Sequence, residues 1–201
     1  MRYRRLLWTK PVFLAAALIW LLPVFAAAQA VTTRMTASEV FDPMNYFGFG
    51  PVGAFTSPGT LTCPGAEPTG NPMQPCPPDR PIHLRGVTGY SRMTSQSPLL
   101  SGWFYWEMNA NFDSTAAGRV WGTFRIELDA GGVWEGSWTN ARGKVEDEQA
   151  WVGRARFVGR GTSGSVEGMQ LRFTEVGATW TPLPFFWVVP VDAEILAPPS
   201  R

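Results

Sequence analysis

The stretch Gly118–Trp138, GRVWGTFRIELDAGGVWEGSW, decides how the rest of the chain is read. Val120, Phe124, Ile126 and Leu128 alternate with Arg119, Thr123, Arg125, Glu127 and Asp129. A period of two sends the apolar set to one face of a strand and the polar set to the other. Asp129-Ala130-Gly131-Gly132 then offers residues that tolerate positive φ, as a hairpin loop requires. Beyond it Trp134, Gly136 and Trp138 share one face, with Glu135, Ser137 and Thr139 on the other. The stretch predicts a β-hairpin, and it contains no catalytic motif.

Other segments repeat the pattern. Gly102–Phe112 places Phe104, Trp106, Met108, Ala110 and Phe112 opposite Trp103, Tyr105, Glu107, Asn109 and Asn111. Trp151–Gly161 and Val166–Thr174 alternate in the same way, and Ile82–Met93 and Phe185–Val189 are further candidate strands. No window holds a helical period over a dozen residues. Many short strands with frequent turn signals imply an all-β sandwich or barrel. Gly122, Gly136, Gly159 and Gly168 fall inside strand-like runs, where glycine marks bends in a strongly coiled sheet. A closed or nearly closed antiparallel up-and-down barrel over residues 82–192 is therefore expected.

The N-terminus has the layout of an export signal. Arg2, Arg4, Arg5 and Lys10 precede the apolar run Val12–Leu22, Pro23 interrupts it, and Ala28-Gln29-Ala30 offers a cleavage site. A retained anchor is the rival reading, but the run is short for a membrane span. Cleavage would leave residues 31–201 as one domain-sized chain with a secreted or periplasmic address and no membrane span. Loss of four basic residues takes the formal charge from +1 to −3. A nucleic-acid partner is thereby disfavoured.

Residues 31–81 are rich in Pro and Gly and predict an irregular extension, with strands near Thr36–Phe41 and Gly59–Thr62. The only two cysteines, Cys63 and Cys76, lie within it. In an oxidising compartment they form a disulfide worth about 3 kcal/mol by loop entropy. Residues 193–201 read as a tail.

The series Pro58-Gly59-Thr60, His83-Leu84-Arg85-Gly86, Leu100-Ser101-Gly102, Asn109-Ala110-Asn111, Gly118–Phe124, Gly132–Gly136 and Gly161–Arg172 resembles a group of uncharacterised exported bacterial proteins. Those proteins are similar in pattern to allene-oxide-cyclase-like or lipocalin-like barrels. The resemblance covers about residues 58–174 and implies a barrel. It implies no catalytic residues, because its motifs are glycine and tryptophan patterns.

Chemistry is sparse. His83 is the only histidine, and a general base needs an orienting partner. No metal, phosphate-loop or nucleophile-elbow pattern occurs, so no cofactor is expected. Glu135 and Glu167 each precede a glycine and suggest an acid/base pair; cross-strand pairing with Arg154, Arg156 or Arg172 is the plainer expectation. Tryptophan is the one excess, with eight of ten beyond the signal. Trp103, Tyr105 and Trp121 lie on otherwise polar faces, and with Glu107, Asn109 and Asn111 they make the candidate ligand-binding set. Three functional readings follow. The favoured one is a non-enzymatic barrel binding a small apolar or sugar-like ligand, or a surface partner. The others are a cyclase- or isomerase-type enzyme using Glu107, Asn109 and Asn111, and a structural envelope module.

Overall fold

The computed structural model describes residues 30–45, 48, 50–71, 75–115, 117–144, 151–176 and 187–198. The expected export signal, Trp180, Phe185 and the last residues of the expected tail lie outside them. The described residues form ten strands: β1 (Val31–Phe41), β2 (Ala54–Ser57), β3 (Thr60–Thr62), β4 (Ile82–Ser95), β5 (Gly102–Phe112), β6 (Gly118–Leu128), β7 (Gly132–Lys144), β8 (Trp151–Gly164), β9 (Gln170–Val176) and β10 (Trp187–Ala197).

Strands β4 to β10 follow one another around an antiparallel sheet, and β1 closes it. All of β1 pairs with β10, and its segment Ala37–Val40 pairs with Ser95–Arg92 of β4. The result is a closed eight-stranded up-and-down barrel. The remainder of the β4 edge is covered by β2 and β3. Closure thus leaves the long strand β4 no open ladder along most of its length.

The barrel is longer at both chain ends than the 82–192 span expected. Its first stave is β1, whose inward positions are Met35, Ala37, Glu39 and Phe41; a glutamate in this row hides the apolar period. Its last stave runs through Pro190, with Val189, Val191, Ala193 and Ile195 buried on alternate positions. Proline is tolerated there because the pairing of β10 with β9 starts only at Val191. The irregular extension is accordingly residues 42–81, held by the Cys63–Cys76 disulfide with Cα atoms 5.5 Å apart. Gly168 belongs to a turn with φ 78°, and not to a strand.

The hairpin forms as its pattern predicts, with Gly131 at φ 81° and Gly132 at φ 132°. Inside the barrel Phe104, Phe124, Phe157 and Phe173 meet with ring centroids 4.1–6.1 Å apart. Burying each ring contributes about 2–3 kcal/mol. Gly136 and Gly159 make room for this layer: a Cβ at either would lie 2.7 or 2.8 Å from the Phe124 ring. Beyond the phenylalanines, at the end where β6 turns into β7, Leu100, Ile126, Trp134 and Val166 are fully buried. Trp134 Nε1 donates to Leu99 O at 2.9 Å there.

Candidate functional site

The opposite end of the barrel is where β1, β7 and β9 finish and β8 and β10 begin. Three inward rows carry a polar residue toward that end: Glu39 between Ala37 and Phe41 on β1, Glu175 after Leu171 and Phe173 on β9, and Asn140 after Trp134 and Trp138 on β7. Registers bring these rows together, because Glu39 faces Val189 of β10, Glu175 faces Val191 of β10, and Asn140 and Glu175 both face Ala155 of β8.

These side chains line a half-enclosed cavity of about 60 Å³, with Trp106, Trp138, Trp187, Phe104 and Phe157 as its aromatic walls. Glu39 and Glu175 are 3% and 6% exposed, and neither forms a salt bridge among the described residues. Ser91 Oγ donates to Glu39 Oε1 at 2.6 Å, and Trp187 Nε1 donates to the same oxygen at 3.0 Å. Burial first, then the charge of Glu39 and a hydrogen bond with it, push the Glu175 carboxyl well above the usual carboxylate range. Glu175 therefore keeps its proton at a pH where an ordinary glutamate has lost it, and donates it to Glu39.

Three buried polar atoms of the residues lining this cavity have no hydrogen-bond partner among the described residues: Trp106 Nε1, Asn140 Oδ1 and Glu175 Oε1. The other two tryptophan N–H groups are satisfied, Trp187 by Glu39 and Trp138 by Glu107 O at 3.1 Å. Each unpaired buried group costs about 1–3 kcal/mol, so three around one cavity is a large local cost. The arrangement can accept hydrogen bonds at two points, donate one at a third, and hold a proton beside a carboxylate.

The residues singled out from sequence lie elsewhere. Trp103 and Tyr105 are 39% and 38% exposed on the outer wall, Asn111 is exposed beside them in the same row, and Glu107, Asn109 and Trp121 are half-buried there. None lines the interior cavity. Most are engaged with one another or with a β4 bulge. Gly86 N donates to Asn109 Oδ1 at 3.0 Å and Arg85 Nη2 to Asn111 Oδ1 at 2.6 Å. The Arg85 guanidinium also stacks 5.1 Å from the Trp121 ring. Arg92 lies over Trp103 and pairs with Asp129, whose carboxyl is held below its ordinary range by that hydrogen bond. Tyr90 packs against Trp103 and Tyr105.

His83 is half-buried between Thr62 of β3 and Asn111 of β5. Glu135 and Glu167 are both exposed. The expected arginine partners of Glu135 are replaced by Arg125, 2.6 Å away, because the hairpin register sets those two residues directly opposite. Glu39, Glu175 and Asn140 were missed from sequence. Their signal was a polar residue recurring on the apolar parity of a strand. Comparison with protein-family models, with curated proteins and with solved structures found no match.

Proposed function

We propose that this chain is an exported, extracytoplasmic β-barrel that binds a small ligand in the interior pocket beneath Glu39 and Glu175. The observation that carries this reading is that Trp106, Asn140 and Glu175, each with a buried polar atom that has no partner among the described residues (Nε1, Oδ1 and Oε1), all line one aromatic-walled cavity. Unpaired polar atoms this deeply buried are costly, and a ligand that pairs them recovers that cost on binding. A cavity of about 60 Å³ suits a few heavy atoms, or the end of a longer molecule, better than a whole sugar ring. The export signal and the disulfide support the address.

The test is native mass spectrometry of the full chain purified from an exporting host, compared with W106F. Expected is a small molecule that survives native conditions and is reduced or lost in W106F. A bare mass for the wild type from several hosts, with both proteins equally folded, would overturn the reading.

A second reading is an isomerase- or cyclase-type enzyme. A proton held on Glu175 beside Glu39, facing an apolar cavity, supports it, since such a pair can give and take a proton in one site. If a captured ligand is returned chemically unchanged by the wild type and by E175Q alike, this second reading falls.

A further inference from the structure

Resting on the pocket reading above, we infer that the ligand is a protonated amine of about four heavy atoms, or the amine end of a longer molecule, held by Glu175 and Asn140 against the charge of Glu39 and the faces of the surrounding tryptophans. Two of the three unpaired atoms, Asn140 Oδ1 and Glu175 Oε1, are acceptors, so the missing group must chiefly donate. An ammonium offers three donors and no acceptor.

Charge points the same way. Glu39 is 3% exposed, and the described residues supply no cation to it. A buried carboxylate without a counter-charge is costly, and a cationic ligand removes that cost. One ammonium supplies the counter-charge that the described residues do not bring to Glu39. An anion would meet that carboxylate and two acceptor oxygens, so the site rejects it.

The walls fit a cation as well. Trp106, Trp138 and Trp187 line the same cavity as the carboxyls, and a cation over an indole face is attracted by the ring quadrupole. Trp106 is 8% exposed, and its N–H remains for an acceptor carried beside the amine, such as a hydroxyl or carbonyl oxygen. The volume allows about four or five water-sized groups, which sets the size of the bound end.

Three probes of four heavy atoms each separate the possibilities: isopropylammonium, propan-2-ol and acetate. They are titrated into the full chain at neutral pH, following the indole N–H resonances by two-dimensional nitrogen–proton NMR. With so few atoms, dissociation constants no tighter than about 40 µM are expected. The inference expects isopropylammonium to shift the Trp106 signal and to bind at least tenfold more tightly than propan-2-ol, with acetate inert. E39Q keeps the oxygen that accepts from Ser91 and Trp187 but removes the charge, and should weaken the amine at least tenfold while the alcohol is unaffected.

Equal binding of amine and alcohol, or an amine affinity unchanged in E39Q with its indole spectrum intact, overturns the amine while leaving the pocket standing. Should E39Q fail to fold, the comparison of the three probes on the wild type decides alone. No response to any probe also overturns the amine. The pocket reading then stands or falls separately, on whether native mass spectrometry finds another ligand that W106F loses.

Discussion

Trp134 and Trp106 sit on inward positions of the same barrel, one near each end, and their surroundings differ in kind. Trp134 is fully buried, its N–H is taken by Leu99 O, and Leu100, Ile126 and Val166 fill the space around it. Trp106 is nearly as buried, yet its N–H has no acceptor among the described residues and it borders a cavity shared with two carboxyls. The difference teaches that burial of tryptophan alone does not separate packing from recognition. The accounting of polar atoms does. At the filled end every inward group is apolar or paired, as a closed core requires. Toward the other end the inward rows carry Glu39, Asn140 and Glu175, and Asn140 and Glu175 each keep a buried oxygen with no partner among the described residues.

The largest test of this contrast is truncation at the filled end. Trp134→Ala should cost about 3–5 kcal/mol, because a fully buried indole is removed from a plug with no solvent to replace it. Urea unfolding followed by far-ultraviolet circular dichroism measures it. A loss below 1 kcal/mol would mean that this end is not closed.

The next effect is read with pH. The Glu175 pKa is raised on folding, so the stability linked to it is fully present below the ordinary value of 4.5 and declines as pH climbs through the folded value. Over that window stability should fall by up to about 1.4 kcal/mol per pH unit, since the unfolded chain ionises while the folded chain resists. Glu175→Gln should flatten this slope and be the more stable protein at neutral pH. Urea midpoints at intervals from pH 4 to pH 8 test both statements. A Glu175→Gln profile parallel to that of the wild type would show that the carboxyl is solvated.

The smallest effect is the most discriminating. Trp134→Phe strands the Leu99 carbonyl, whereas Trp106→Phe removes a donor that had no partner. Ring shrinkage is common to both, so Trp134→Phe should be the less stable by about 1–2 kcal/mol. Equal losses would erase the distinction between the two ends.

Much of the barrel was legible because strand chemistry is local. In Gly102–Phe112 and Gly118–Trp138 each inward residue is apolar and each turn residue suits its φ, so a period of two reports the face directly. The first stave was harder to read, because Glu39 interrupts the row Met35, Ala37, Phe41 and makes the segment look irregular. The same interruption hid the candidate site. A carboxylate on the apolar parity of a strand reads as noise until its neighbours are known, and Glu175 fell just past the point where the β9 pattern was thought to end. The outer set was conspicuous for the opposite reason. Trp121, Asn109 and Asn111 stand out on a polar face, but the β4 bulge at Gly86 brings Arg85 to Trp121 and Asn111 and the Gly86 N–H to Asn109, so all three hold the wall together.

By itself the amino-acid sequence determined strands β4 to β9, their faces, the hairpin turn and the only available cysteine pairing, since each depends on neighbours within a few residues or on elimination. Only the tertiary structure decided that β1 closes the barrel against β10 and β4, and that Glu39, Asn140 and Glu175 share one cavity. Those residues are separated by up to 136 positions along the chain. What joins them is the register of successive antiparallel pairs around a closed sheet. That register is set by the packing of the whole interior, and no single segment carries it.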